Sequence, residues 1–201
     1  MYSTTITRMP VVRLGVLGLL FNLSAAFNSA FAEPSFAAPA WHEFAHGVFS
    51  FETEYLNSVV LVGDSSVLIM DTYNPAHAQA LKREIRKRFN LPVQYVVYSH
   101  AHADHLRGAN VFSDTATYIA QRRQVSRLEF LSRYEDTIVM PDETFDKEYT
   151  IEFGGREVVL RDYGANHATG VTVMHLPQDK IIAAFDIVYP KRFLWYTLGT
   201  I

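Results

Sequence analysis

The 201-residue chain has a formal net charge of −3 and 49% hydrophobic residues, values that are ordinary for one globular domain with a sizeable core. This charge gives no reason to expect a nucleic-acid partner, and the basic cluster within residues 82–88 is typical of the solvated face of a helix. The chain contains no cysteine, which excludes thiolate mechanisms and cysteine-containing zinc sites.

The first 32 residues are predicted to be a secretory signal peptide. Arg8 and Arg13 form a positive segment, residues 14–21 form an apolar run too short to span a bilayer comfortably, and Ala30-Phe31-Ala32 is a typical cleavage site. We therefore expect export to the periplasm or the medium and a mature domain of residues 33–201. An uncleaved N-terminal anchor is the alternative. No later segment is long and apolar enough to cross a membrane.

Strands and a helix are predicted in the first half of the mature chain. Strand-like sequence begins at residues 48–51, after a loose lead-in that contains two histidines. Residues 57–62 and 66–70 are β-rich runs separated by Gly-Asp-Ser, which predicts a hairpin. Asn74-Pro75 supplies an N-cap and a favourable first helical residue, so a helix is expected from there to about Phe89.

The second half is predicted to be dominated by strands. A short helix is expected over residues 105–112, a strand over 115–120 and an amphipathic helix over 125–134. Two further hairpins are expected, over residues 150–162 around a Gly-Gly pair and over 171–184. This mixture favours stacked sheets covered by helices over a simple parallel sheet.

The run His100-Ala101-His102-Ala103-Asp104-His105 places four potential metal ligands in six residues. It follows residues 93–98, an apolar stretch that predicts a buried strand. Alternate side chains of an extended segment share one face, so His100, His102 and Asp104 are expected to point the same way, with a turn at His105. One extended segment rarely completes a tetrahedral site, so the density of ligands favours two metal ions.

This run resembles the signature of the metallo-β-lactamase fold superfamily. Residues 68–72 resemble that family's early strand ending in an aspartate, residues 164–170 its Gly-x-x-His-x-x-Gly loop, and residues 181–186 its later strand ending in a ligand aspartate. The resemblance extends from about residue 49 to 186. It implies an α+β fold with αββα layers, in which two packed mixed sheets are flanked by helices.

The resemblance also implies a site for one or two zinc ions. The implied ligands of the first ion are His100, His102 and His167. Asp104 and His105 would hold the second ion, and Asp186 would bridge the two. Asp71 would orient a ligand from outside the metal's own shell, with a simple turn aspartate as the alternative. The implied reaction is attack by a metal-bound hydroxide, with Asp104 as a candidate proton carrier.

Other polar and aromatic residues receive weaker predictions. Four histidines are expected to have no role in metal binding: His42, His46, His77 and His175. A group following Asp186 could contact substrate or pack as an aromatic loop: Tyr189, Arg192, Trp195 and Tyr196.

The chain departs from the family pattern in its last part. The family's second metal site usually includes a later histidine, but no histidine follows His175, and Ile201 comes soon after Asp186. We therefore expect the C-terminal half of the domain to be incomplete. The alternative is a reduced version that holds one metal firmly at His100, His102 and His167.

The predicted function is an exported zinc hydrolase acting on a small ester-, thioester-, lactone- or amide-like substrate. The missing cysteine excludes the lactamases that use a cysteine ligand at the position of Asp186. An aspartate at this position resembles the larger set of hydrolases: glyoxalase II-like thioesterases, lactonases, sulfatases and phosphodiesterases. Two alternatives are β-lactam hydrolysis and a truncated, non-catalytic metal-binding protein. His102 favours zinc over the di-iron relatives, but mononuclear iron persulfide dioxygenases share the histidine-rich run. The pattern fixes neither the substrate nor the oligomeric state.

Overall fold

A computed structural model describes residues 38–188 of the chain. The predicted signal peptide lies outside the described residues, as does the aromatic group that follows Asp186. Among residues 38–188, no helix combines the length and the apolar character that a membrane crossing requires.

The larger of two sheets contains seven strands in chain order. Their bounds are β1 (Ala40–Ala45), β2 (Val48–Thr53), β3 (Leu56–Val62), β4 (Val67–Met70), β5 (Val93–Val97), β6 (Thr117–Gln121) and β7 (Glu143–Phe145). The first four strands pair antiparallel, and β4 to β7 pair parallel. The carboxyl ends of the parallel strands therefore lie at one edge, where the chain continues into Asp71, His100 and the segment after Gln121.

The smaller sheet is antiparallel and contains four strands in the order β11-β10-β9-β8. Their bounds are β8 (Glu148–Phe153), β9 (Arg156–Asp162), β10 (Thr172–Leu176) and β11 (Ile181–Ala183). Both predicted hairpins in this half of the chain are confirmed, and so is the hairpin formed by β3 and β4.

Within the described residues, three α-helices and two 3-10 turns connect the strands. The helices are α1 (Pro75–Arg88), α2 (Ala103–Leu106) and α3 (Val125–Ser132), and the 3-10 turns are Ala109–Phe112 and Arg122–Gln124. The predicted start of α1 is confirmed, because the Asn74 side chain accepts a hydrogen bond from the His77 N–H at 2.9 Å. This bond satisfies one of the helix's unpaired N–H groups.

Two hydrophobic cores define the layers. Buried residues of all three helices, such as Leu81, Leu106 and Leu128, pack with Ile69 on one face of the larger sheet. On its other face, strand residues such as Leu68 pack against the smaller sheet; the cluster includes Met70, Val97, Leu160 and Met174. Alternate residues of β4 thus serve different cores, as the pleat of a strand requires. The predicted stacking of two sheets with covering helices is confirmed; the larger sheet is mixed and carries the helices on the face opposite the smaller sheet, and the smaller sheet is antiparallel.

Two local predictions were wrong in detail, and one strand was missed. The lead-in was expected to be loose, but residues 40–45 form β1 and pair with β2. The short edge strand β7 was not predicted at all. The helix expected over residues 105–112 is two short helices, interrupted by Gly108 at φ 84°. A β-carbon there would lie 2.7 Å from the Asn74 carbonyl, so both the backbone angle and the packing favour glycine.

His77 lies at the junction of α1 with strands β2 and β3. It is only 1% exposed. Its Nε2 lies 2.8 Å from Ser58 Oγ and its Nδ1 lies 2.6 Å from Thr53 Oγ1. Because Ser58 donates its hydroxyl hydrogen to the Asp71 carbonyl at 2.7 Å, it must accept from His77 Nε2–H. Both ring nitrogens of the neutral imidazole are thereby satisfied, and burial lowers the pKa of His77 to about 4.

This burial predicts a pH-dependent contribution of His77 to stability. A histidine whose pKa falls on folding contributes fully above its unfolded pKa of about 6.5 and loses that contribution as the pH falls toward 4. Between pH 7 and pH 4 the metal-free wild type should lose about 3 kcal/mol more unfolding free energy than a His77→Gln variant, which cannot titrate there. Urea unfolding at both pH values measures this, and parallel losses in the two proteins would contradict it.

Candidate metal centre

The predicted ligand run lies where β5 ends at the edge of the larger sheet. His100 is completely buried, and His102 is the half-buried N-cap residue of α2. His100 Nε2 lies 3.0 Å from His102 Nδ1, which lies 3.0 Å from His167 Nε2. The structure thus brings together three imidazole nitrogens from two segments that are 65 residues apart.

Asp104 does not share the face of His100 and His102, and this expectation was wrong. The segment stays extended only to His102, because α2 begins at Ala103. The helical turn leaves Asp104 exposed and carries His105 into the protein, where it is 5% exposed. His105 is therefore the residue of the run that faces inward beside His100.

Asp71 organises this region from the end of β4. The residue is completely buried and has φ 65°, and its carbonyl is held by Ser58. Its carboxylate accepts hydrogen bonds from the Ser99 N–H at 2.8 Å and from Ser99 Oγ at 2.6 Å, and its Oδ2 lies 2.7 Å from His105 Nδ1. These contacts agree with the prediction that Asp71 orients ligands, a role that stays a prediction for the metal-bound protein.

The same contacts place a hydrogen on Nδ1 of both His100 and His105. Ser99 Oγ donates to Asp71, so it accepts from His100 Nδ1–H at 2.9 Å. His105 Nδ1–H likewise donates to the Asp71 carboxylate. His100 therefore directs an Nε2 lone pair away from Ser99, as a histidine that binds a metal must do, and His105 directs its Nε2 away from Asp71 toward Asp186.

Asp186 enters the same space from beyond β11. Its Oδ2 lies 3.0 Å from His105 Nε2, 3.5 Å from His167 Nε2 and 3.6 Å from His100 Nε2. One carboxylate oxygen is thus close to imidazoles of both predicted metal sets, which is the placement that a bridging ligand requires.

Two overlapping groups of possible ligands follow from these distances. Within each group the ligand atoms lie within 4.8 Å of one another: His100, His102 and His167 form one, and His100, His105 and Asp186 form the other. Zn–N bonds of about 2.0–2.1 Å in a tetrahedron separate ligand nitrogens by about 3.3 Å, close to the spacings of the first group. The residues of the first group fit a zinc ion, and the second group offers a carboxylate and two imidazoles.

The electrostatics of the site favour the neutral form of His100 and His102 but the charged form of His105. Burial and the charges of His105 and His102 hold the pKa of His100 well below its ordinary value. Burial and His167 lower the pKa of His102. Burial acts in the same sense on His105, but hydrogen bonds to Asp186 and Asp71 outweigh it and raise its pKa to about 10. Without a bound cation, His105 is thus the group that balances the carboxylates, and a metal ion would replace its proton.

The remaining histidines occupy other positions. His42 and His46 are exposed on or beside β1, and His77 is buried below α1. His175 is half-buried on β10, with its Nε2 2.8 Å from Tyr163 Oη. Within residues 38–188, none of the four joins either ligand group.

Two supporting residues were missed at the sequence level. Ser99 and Gln124 both contact the backbone or side chains that hold the histidines, and both are completely buried. Only the position of Ser99, directly before the ligand run, could have drawn attention to it. Gln124 has no such signal.

The arrangement of histidines and aspartates described above agrees with the chain's similarity to a known family. The chain matches the family model of the metallo-beta-lactamase superfamily over residues 53–199, and it belongs to that superfamily. It is 24% identical over 158 residues to 2,4-dinitroanisole O-demethylase subunit alpha from Nocardioides sp. (strain JS1661), covering 74% of this chain and 48% of that protein. It is 27% identical over 139 residues to metallo-beta-lactamase IND-1 from Chryseobacterium indologenes, covering 68% of this chain and 56% of that protein.

The fold is also found in solved structures. A metallo-beta-lactamase from Pontibacter korlensis superimposes with a TM-score of 0.61 at 19% identity, covering 72% of this chain and 69% of that structure. At this identity the similarity shows the fold alone. The chain spans about half the length of the curated relatives it matches.

The contacts of Asp71 predict that it controls metal affinity. In an Asp71→Asn variant an amide N–H₂ would face Ser99 Oγ or His105 Nδ1, so the ring orientations would no longer be fixed. We expect the Zn²⁺ dissociation constant, measured by competition with a chelator, to rise about 10- to 100-fold. Asp64→Asn, the same change in the exposed turn between β3 and β4, is the matched control and should leave it unchanged. Equal constants for wild type and Asp71→Asn would contradict the prediction.

Proposed function

We propose that this protein is a zinc-dependent hydrolase acting on a small ester-, thioester-, lactone- or amide-like substrate. The observation that carries the proposal is the position of Asp186 Oδ2, within 3.6 Å of His100 Nε2 and also beside His105 and His167. A carboxylate between two sets of imidazoles suits two divalent ions that share it. Membership of the superfamily supports the class of reaction.

The bound metal would supply a Lewis acid that lowers the pKa of water and polarises a carbonyl or phosphoryl oxygen. The residues of this chain hold and orient it. His100, His102 and His167 would present three imidazole nitrogens to it, and Asp71 together with Ser99 keeps the Nδ1 hydrogens of His100 and His105 on the far side. We infer that the second position is held by His105 and Asp186.

Asp104 is proposed as the group that carries a proton at the mouth of the site. It is exposed at the start of α2, two residues from His102. Its charge acts to raise the pKa of His102, against the larger effects of burial and of His167. A solvent-facing carboxylate beside the site can exchange protons with water during turnover, which a buried one cannot. Direct ligation of the second metal by Asp104 stays a prediction from the family resemblance.

The second candidate is β-lactam hydrolysis. The observation in its favour is the 27% identity to a protein named as a metallo-beta-lactamase. The other curated relative is named for O-demethylation of 2,4-dinitroanisole. Since the two named activities differ, membership of the family does not choose between substrates.

A substrate panel with zinc-loaded protein tests the proposal. The panel contains p-nitrophenyl acetate, an acyl thioester, a homoserine lactone and nitrocefin. We expect zinc-dependent hydrolysis of at least one acyl substrate, with kcat/KM reduced about 100-fold or more in His102→Ala because a ligand nitrogen is lost. The control His46→Ala removes an exposed histidine in the turn between β1 and β2 and should retain full activity.

The outcomes of the panel are distinct. Hydrolysis of the ester, thioester or lactone without nitrocefin turnover supports the first proposal. Hydrolysis of nitrocefin alone favours the second. Firm zinc binding with no turnover of any substrate contradicts both and favours a metal-binding protein without catalytic activity.

We further propose that the protein is exported. The proposal rests on the positive segment, short apolar run and Ala-Phe-Ala site in its first 32 residues. N-terminal sequencing of the protein recovered from the periplasm or medium should begin at Glu33. An intact Met1 in the purified protein would show that cleavage does not occur.

A further inference from the structure

The loop that carries His167 is held at both ends by one short element. This loop, residues 163–170, runs from the end of β9 to the start of β10. The element is the segment Gln121–Gln124, which consists of the last residue of β6 and the 3-10 turn that follows it. It lies at the same sheet edge as the end of β5, where His100 is attached.

Gln124 holds the second end of the loop. The side chain is completely buried, and its Nε2 donates to the Gly170 carbonyl at 2.7 Å. The same nitrogen lies 3.3 Å from both the Ser99 carbonyl and Thr172 Oγ1. The Thr172 N–H also donates to the Ser99 carbonyl, at 2.6 Å. One amide therefore joins the residue before His100 to the loop that carries His167.

Arg123 holds the first end of the loop through Asp162. The Asp162 side chain is only 1% exposed and is paired with the Arg123 guanidinium. Its other carboxylate oxygen accepts the Gly164 N–H at 2.8 Å. A buried carboxylate needs such partners, because an unpaired one would be costly to desolvate. The start of the loop is thus fixed by a charge from the turn after β6.

The loop also approaches this segment too closely for a side chain. Gly170 has φ 76°, and a β-carbon at this residue would lie 2.5 Å from Gln121 Oε1. Gln124 Oε1, in contrast, has no hydrogen-bond partner among the described residues. Burying an amide oxygen without a donor costs free energy, and the hydrogen bonds that the N–H₂ group of Gln124 makes to its acceptors offset this cost.

We propose that Gln124, together with Arg123, positions His167 for metal binding by fixing the two ends of its loop: Arg123 holds the first end to the turn after β6, and Gln124 holds the second end against Ser99 after β5. Gln124 is a positioning residue, since it acts through the backbone of the loop and does not face the ligand nitrogens. The consequence for zinc affinity rests on the proposed function, whereas the fixing of the loop does not.

The test compares two variants with a matched control. Gln124→Met keeps the length of the side chain and removes the N–H₂ donor. Arg123→Met removes the half-exposed guanidinium that pairs with Asp162, leaving Lys147 Nζ at 3.7 Å, and serves as a second variant should Gln124→Met fail to fold. The control is Tyr118→Phe on β6, the strand that leads into the 3-10 turn; it loses a buried hydrogen bond to the Ala109 carbonyl but touches neither end of the loop.

Two measurements separate positioning from general stability. Hydrogen–deuterium exchange of residues 164–170 in the metal-free proteins should become faster in Gln124→Met and Arg123→Met, but not in Tyr118→Phe. The Zn²⁺ dissociation constant, by chelator competition, should rise about 10-fold in the two loop variants and remain unchanged in the control. Urea denaturation midpoints show whether the control is destabilised to a comparable extent.

The results distinguish failure of this proposal from failure of the proposed function. Unchanged exchange of the loop in both variants overturns the positioning role, whether or not zinc binds. If exchange is faster in the two variants but the wild type binds no zinc, the fixing of the loop is retained and the proposed function is overturned. Faster exchange with an unchanged zinc constant overturns the link between the loop and metal affinity.

Discussion

The buried carboxylate of Asp71 accepts hydrogen bonds from the end of β5 and from α2, and so holds the histidine run that joins them. It receives the N–H and hydroxyl of Ser99 at the end of β5 and Nδ1–H of His105 in α2. A charged group without water is tolerated only when donors surround it, so these segments must close around it for the fold to be stable. The same hydrogen bonds place the Nδ1 hydrogens of His100 and His105, so one constraint determines both the local folding and the direction in which the two Nε2 atoms point.

The rest of the site depends on how the two sheets pack. The larger sheet supplies the histidine run, whereas His167 and Asp186 belong to segments flanking strands of the smaller sheet. The apolar faces between the sheets, with Met70 of one and Met174 of the other, bring these segments to a common edge. Direct backbone contact between Thr172 and Ser99 at 2.6 Å joins the sheets at that edge. The metal centre is therefore located at an interface that hydrophobic packing creates.

The family and the ligand set define the type of reaction more closely than they define the substrate. Neutral imidazoles and a shared carboxylate suit divalent metal ions, and a metal-activated water can attack many acyl and phosphoryl groups. The curated relatives carry names with different activities, at identities of 24% and 27%. Specificity on a common scaffold is set by the loops around the site, so the substrate is a matter for experiment.

The sequence by itself determined the hairpins, the start of α1, the family and the list of candidate ligands, because these depend on short-range patterns of turn residues, apolar spacing and histidines. The sequence did not predict strands β1 and β7, because short edge strands carry little periodic signal and form through pairing with a neighbouring strand. Only the tertiary structure decided that His105, and not Asp104, faces inward beside His100, because α2 begins one residue after His102. It also decided the roles of Asp71 and Gln124, whose partners are distant in the chain. Ser99 meets Asp71 because β5 pairs with β4, and Gly170 meets Gln124 only when the two sheets pack.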